Sequence, residues 1–225
     1  MEAVNIIALS MGAAWASGIN LYATIFMLGY MGITGNIVLP DELHILTDPM
    51  VMAAAGFMYC VEFFADKIPG VDSGWDTMHT FIRIPAGAML AAGAVGDVSA
   101  AAELSAALLG GSLAAGSHAT KAGGRLLINT SPEPVTNWGA SISEDLLVIA
   151  GLWTALHHPV LFLIMLVVFV ALMIWLLPRL WRLLKAIFSK VGRWLGLTKT
   201  PESSMGGSTT NTEDTPVKKI EHDPN

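Results

Sequence analysis

The chain has 225 residues, of which 53% are hydrophobic and only 13% are charged, and its formal net charge is −6. Soluble domains carry about 25% charged residues, whereas the mean hydropathy of this chain is +0.58. The composition argues against a soluble or nucleic-acid-binding protein and indicates an integral membrane protein.

Six apolar segments along the chain are long enough, or nearly so, to cross about 30 Å of hydrocarbon. The third and fourth are rich in Ala and Gly, which let helix backbones approach closely in lipid, so we expect them inside the bundle. The expected fold class is all-α, a polytopic membrane helix bundle of about six spans. The predicted spans are Val4–Gly32, Pro49–Ala65, Asp76–Val95, Leu104–Ile128, Ser143–Leu156 and Pro159–Leu177.

The basic residues near the spans predict the orientation and the domains. Lys67 lies in the second connection, and Arg179 begins a basic stretch after the last span. The positive-inside rule then places both termini in the cytoplasm of a bacterial inner membrane. We expect the bundle in residues 1–178, a basic amphipathic helix on anionic lipid headgroups in 179–198, and a disordered tail in 199–225. A protein partner for the basic helix and homo-oligomerisation are both left open.

Two Pro-rich connections resemble each other. "EFFADKIPGVDSGW" and "RLLINTSPEPVTNW" match at an offset of 63 residues, which aligns Pro69 with Pro132. We interpret them as helix-break-helix hairpins, broken or re-entrant, and a weaker echo between residues 15–23 and 113–122 would suit three-helix halves. Internal repeats would account for both echoes, and chance similarity in an Ala/Gly-rich chain is the alternative.

Ionisable residues concentrate around these connections, in the cytoplasmic half of the predicted bundle. Asp76, His79 and Arg83 follow at spacings of three and four, which places them on one helix face. Charged groups that face lipid are costly, so they should face the bundle interior or a water-filled cavity. The expected substrate-binding residues are Asn20, Glu62, Asp66, Asp76, His79, Arg83, His118, Lys121, Arg125, Glu144 and Asp145.

The favoured function is a small transporter or channel with a charged cavity that faces the cytoplasm. Polar groups on several helices around broken connections are typical of substrate or ion sites. His79 and His118 titrate near neutral pH and would serve proton coupling. The substrate would be an ion, a small polar solute or a lipid headgroup.

Two other functions stay open. A membrane-embedded enzyme could use a divalent metal and act on a phosphate-containing lipid held by Lys121 and Arg125. The sequence contains no HExxH, GxSxG, Walker or CxxC motif, so no catalytic residue, metal ligand or cofactor is assigned. In a non-catalytic scaffold, the acids would simply pair with the cations to hold helices together. The metal ligands considered are Asp72, Asp76, His79, His118, Glu144 and Asp145.

Two residues outside the expected site have structural interpretations. Lys67 is expected to extend its ammonium group to the lipid headgroups. Cys60 is expected to be a packed thiol within an apolar run.

Two long motifs carry a resemblance to a known family. "EFFADKIPGVDSGWDTMHTFIRIPAGAMLAAGAVGD" and "GSHATKAGGRLLINTSPEPVTNWGASISEDLLV" resemble the bacterial membrane family catalogued as domain of unknown function 4126, and "SGINLYATIFMLG" resembles its first span. The resemblance covers roughly residues 7–178. It implies a polytopic membrane fold with these polar motifs and brings no established activity.

Overall fold

The computed structural model describes residues 2–68, 70–129 and 134–194. The described residues form seven α-helices and two short 3-10 helices, without a strand, which confirms the all-α fold class. The predicted tail 199–225, and the end of the predicted basic helix, lie outside the described residues. The α-helices are α1 (Glu2–Ile19), α2 (Leu21–Ile33), α3 (Pro49–Ala65), α4 (Val71–Val95), α5 (Ala100–Ile128), α6 (Pro134–His157) and α7 (Pro159–Trp194), and the 3-10 helices are Asp41–Thr47 and Gly96–Val98.

The first predicted span is two helices, not one. Asn20 separates α1 from α2 with an extended backbone, and its side-chain oxygen accepts a hydrogen bond from the Ala23 amide at 2.9 Å. Asn is a favoured N-cap because its oxygen satisfies an amide that has no partner within the helix. The prediction of one continuous helix over Val4–Gly32 was therefore wrong.

Three of the described helices are long and apolar enough to cross a membrane, and a bent pair would supply a fourth span. Six spans are therefore not confirmed. The fourth predicted span lies in α5, which is long enough at 29 residues but carries buried Lys121 and Arg125. The three spanning helices are Val71–Val95, Val135–His157 and Pro159–Leu183, and the bent pair is Asp41–Thr47 with Pro49–Ala65, at an angle of 65°.

The two hairpins have matching helix boundaries. α3 ends at Ala65 and α5 at Ile128, while α4 begins at Val71 and α6 at Pro134. Both pairs of boundaries are 63 residues apart, the offset of the sequence match. The weaker echo has no such counterpart, because α5 is continuous where the first segment breaks at Asn20. Re-entry of the connections into the membrane stays a prediction.

Small residues bring α4 and α5 together. A Cβ atom added to Gly110 would collide with the Ala91 side chain, and one added to Gly87 would collide with that of Ala114. These glycines let the two backbones approach, as expected for helices packed inside a membrane bundle. The α4–α5 contact thereby fixes the relative position of the polar residues on both helices.

The apolar surface lies largely on the outside. On α7, Val167 and Ile174 are 69% and 65% exposed, as expected for side chains that face lipid. Cys60 is also exposed, so the expectation of a packed thiol was wrong. Residues 179–188 of the predicted basic helix continue the last span within α7, which contains Pro178. The position of the basic helix on the membrane surface stays a prediction.

Candidate functional site

Seven ionisable side chains from the hairpins form one network of ion pairs, here called the charged cluster. Their side chains are at most 4% exposed, except that of Glu144 at 21%. Both hairpins contribute to the charged cluster, because its residues lie on α4, α5 and α6 and in or just after the last turn of α3. Its members are Glu62, Asp66, Asp76, Arg83, Lys121, Arg125 and Glu144.

Arg83 joins the first hairpin to α5. Its Nη2 donates a short hydrogen bond to Oε1 of Glu62, and its Nη1 lies 3.1 Å from Oδ1 of Asp76. Nη1 also lies 3.2 Å from Nδ1 of His118. A guanidinium suits this position because it presents several donors in a fixed plane.

Lys121 connects the charged cluster to the break between α1 and α2. Its Nζ lies 2.8 Å from Oδ2 of Asp66 and 3.2 Å from Oε1 of Glu62. It also donates to the main-chain carbonyl of Ile19 at 3.1 Å. That carbonyl ends α1, where carbonyls lack helical partners and the helix dipole favours a cation.

Arg125 holds the second hairpin against the first. Its Nε and Nη2 bind the two oxygens of Glu144 at 3.0 and 2.7 Å, a bidentate pair. Its Nη1 donates to the carbonyl of Asp66 at 2.7 Å and to Oδ1 of Asn137 at 2.9 Å. Bidentate, charge-assisted pairs of this kind are among the strongest polar contacts in proteins.

Two further ionisable residues flank the charged cluster. Asp145 accepts a hydrogen bond from Nδ2 of Asn20 at 2.9 Å, and the Tyr59 hydroxyl also interacts with it. Lys67 donates to the Phe63 carbonyl at 2.9 Å and to Ser141 at 3.3 Å. Lys67 is only 5% exposed, so the expectation that it extends to the headgroups was wrong. Burial lowers the pKa of its ammonium group from the ordinary value.

The two histidines differ in the groups that contact their ring nitrogens. The Arg83 guanidinium can only donate, so Nδ1 of His118 must accept from it. The other ring nitrogen, Nε2, then donates to Thr80 at 2.8 Å. A second proton on His118 would point at the guanidinium, and the arrangement therefore favours a neutral imidazole.

The hydrogen-bond partners of the His79 ring are uncharged groups. One ring nitrogen, Nδ1, lies 2.9 Å from the Trp75 carbonyl and therefore donates to it. The other, Nε2, lies 3.0 Å from the Tyr22 hydroxyl. The Tyr22 hydroxyl can donate, so it supplies the proton of this hydrogen bond when Nδ1 carries the single ring proton.

The charged cluster contains more acid than base. It has four carboxylates and three cations, a formal charge of −1 if all are ionised, and adding Asp145 and Lys67 leaves that value unchanged. Among the described residues, three buried carboxylate oxygens of the charged cluster lack a hydrogen-bond partner, against one donor, Nε of Arg83. The charged cluster therefore has more unpartnered acceptors than unpartnered donors. The three oxygens are Oε2 of Glu62, Oδ1 of Asp66 and Oδ2 of Asp76.

The ligand set considered for a divalent metal is not assembled in the described part of the chain. No group of three or more His, Cys, Asp or Glu residues there is arranged to hold a metal ion. Asp72 instead accepts from the Gly70 and Ser73 amides and from the Asn129 side chain at the start of α4.

The structure brings the expected site residues into one region of the bundle, and their role in binding a substrate stays a prediction. The expected site residues do not include Asn137 and Ser141, which are buried beside Arg125 and Lys67. Their spacing was a usable signal, because Asn137, Ser141 and Asp145 recur every four residues and so share one face of α6.

The comparisons with known proteins identify a family without assigning an activity. No curated protein and no solved structure matches the chain significantly. A family model matches residues 7–179, and this range includes every member of the charged cluster. The chain therefore belongs to the family described as domain of unknown function DUF4126.

Proposed function

We propose that this protein is a small membrane transporter or channel in which the charged cluster binds a cation, or the cationic group of a larger solute, during passage. The observation that carries the proposal is the excess of acid in the charged cluster, together with its three unpartnered carboxylate oxygens. A pathway facing the cytoplasm of an inner membrane, as predicted from the basic residues, belongs to the same proposal.

The buried carboxylate oxygens without a partner carry an energetic cost. Leaving a buried polar group without a partner costs about 1–3 kcal/mol, and an uncompensated buried charge costs more. Glu62 and Asp76 each have one oxygen in an ion pair and one without a partner. A bound cation or proton would neutralise the excess charge and supply the missing contacts.

The helix geometry supports a transport site. Transporter sites commonly lie where helices are discontinuous, because freed backbone groups at the break can contact a substrate. Here α1 and α2 are interrupted at Asn20, and Lys121 binds the Ile19 carbonyl beside that break. The matching boundaries of the two hairpins also suit internal repeats, a recurring transporter plan.

A structural scaffold is the second candidate, and it is favoured because every member of the charged cluster has at least one ion-pair partner. Arg125 and Lys121 both contact acids from α6 and from the end of α3. Buried pairs of this kind fix the register between helices without contributing much to stability. In this case the charged cluster would need no ligand.

Replacing Asp76 by Asn separates the two candidates. The substitution removes one negative charge at nearly constant volume and leaves three acids against three cations. The matched control is Asp41→Asn, since the Asp41 side chain is fully exposed. Thermal unfolding of the purified full-length chain would be followed in sodium, potassium and ammonium chloride, against choline chloride at equal ionic strength.

For the transport proposal, we expect at least one small cation to stabilise the wild type and Asp41→Asn but not Asp76→Asn. Saturation at about a hundred times the dissociation constant would add about 2.7 kcal/mol. Flux of the same cation into proteoliposomes should be lost in Asp76→Asn alone. If no cation stabilises the wild type, no flux occurs and Asp76→Asn is simply less stable, the scaffold is correct.

A further inference from the structure

Two neighbouring cavities lie along α6, one lined mainly by α6 and α7 and the other mainly by α5 and α6. The larger has a volume of about 520 Å³, and the smaller about 250 Å³. Ser143, Leu147 and Phe169 line both, so the two cavities adjoin at these side chains. Together they extend from the apolar outside of the bundle to Lys121 and Glu144 of the charged cluster.

The larger cavity is suited to an apolar chain. Its wall includes Trp15, Leu146, Phe162, Met165 and Leu166. Leu146 and Met165 are 62% and 55% exposed, so the cavity opens on the surface that would face lipid. Its volume falls within the range of about 300–1,000 Å³ that is usual for small-molecule sites.

The smaller cavity reaches the charged cluster at one carboxylate. Lys121 and Glu144 are the ionisable residues in its wall. The Glu144 side chain is 21% exposed, whereas the Lys121 side chain is 2% exposed and its ammonium group is already surrounded by acids and the Ile19 carbonyl. Glu144 is therefore the group that a ligand in this cavity would meet first.

We propose that the two cavities bind a phospholipid with a primary-ammonium headgroup, its acyl chain in the larger cavity and its ammonium group against Glu144. This inference rests on the proposed function and names the substrate class and its route. A primary ammonium brings the positive charge that the charged cluster lacks, and it has three donors for carboxylate oxygens. The apolar wall of the larger cavity suits the acyl chain of a membrane lipid.

The test measures which lipids the purified full-length chain retains. The delipidated protein in detergent is given equal amounts of phosphatidylethanolamine, phosphatidylcholine and phosphatidylglycerol with identical acyl chains, and bound lipid is counted by native mass spectrometry. We expect several-fold greater retention of phosphatidylethanolamine. Phosphatidylcholine carries the same charges but has no ammonium donor, so it separates headgroup recognition from chain binding.

Variants locate the site. Leu147→Trp, which fills the junction of the cavities, should abolish the preference, and Ala150→Phe in the larger cavity should reduce total retention. The matched control is Leu172→Trp, because Leu147 and Leu172 are 50% and 56% exposed and Leu172 lines neither cavity. Glu144→Gln should retain lipid but lose the discrimination between phosphatidylethanolamine and phosphatidylcholine.

Equal retention of the three lipids would overturn the inference, as would a preference that survives both Leu147→Trp and Ala150→Phe in folded protein. Thermal unfolding of each variant verifies folding, and the second variant keeps the test decisive if the first does not fold. Cation-dependent stabilisation and flux without lipid preference would reject this inference and leave the proposed function standing. Lipid preference without flux of any cation or of the lipid would reject the proposed function instead.

Discussion

Replacing Arg125 by Gln tests how strongly the charged cluster holds the two hairpins together. Arg125 is completely buried and binds both oxygens of Glu144, the Asp66 carbonyl and the Asn137 side chain. Gln is too short to reproduce the bidentate pair and carries no charge. The formal charge of the charged cluster would change from −1 to −2.

The expected loss follows from the contacts that disappear. Each hydrogen bond to a charged group contributes about 1.5–3 kcal/mol, but bonds that share one side chain are not additive. Removing one partner of a buried pair costs about 3–5 kcal/mol, largely because the remaining charge stays buried. We therefore expect Arg125→Gln to lower the free energy of unfolding by about 4 kcal/mol.

The assay is equilibrium unfolding in mixed micelles, applied to Arg125→Gln, Glu144→Gln and the double variant. The double variant should be more stable than Arg125→Gln alone, because it removes the carboxylate that the first change left unpaired. Arg179→Gln, which alters an exposed arginine of α7, should change stability by no more than about 0.5 kcal/mol. A loss below about 1 kcal/mol for Arg125→Gln, with additive effects in the double variant, would refute the reasoning.

Two further predictions concern topology and helix packing. Reporter tags after Asn225 and in the loop around Asp41 should report cytoplasm and periplasm respectively; reporters on the same side would reject the predicted orientation. Gly110→Ala should destabilise the fold by about 1–3 kcal/mol, since the new methyl group enters the closely packed α4–α5 contact. Gly124→Ala on the same helix meets no atom within 4 Å and should leave the melting temperature unchanged or raise it.

The sequence was sufficient to place the ionisable residues together but not to pair them. Spacings of three and four put Asp76, His79 and Arg83 on one face of α4, and the structure has them on a continuous helix. The choice of Glu62 as partner of Arg83, and of Glu144 for Arg125, depends on how each helix is rotated and how closely α4 and α5 approach. Those quantities arise from packing, which a single sequence does not specify.

The break at Asn20 was missed for a different reason. A polar residue within an apolar run was interpreted as part of a continuous span, since apolar length dominated the prediction. Asn caps a helix when its oxygen reaches an amide three residues further along, and that geometry is present at Ala23. Lys67 was misplaced because position near a span end suggested headgroups, whereas the Phe63 carbonyl and Ser141 lie within its reach inside the protein.

The matching boundaries of the hairpins have a consequence for how such a charged interior can arise. Glu62 and Arg125 are 63 residues apart and occupy equivalent positions, four residues before Asp66 and Asn129, the C-cap residues of α3 and α5. Two identical hairpins in a symmetric dimer would carry the same charge at both positions and would repel each other there. Joining the hairpins in one chain removes that constraint, because each copy can then acquire the charge that its counterpart lacks.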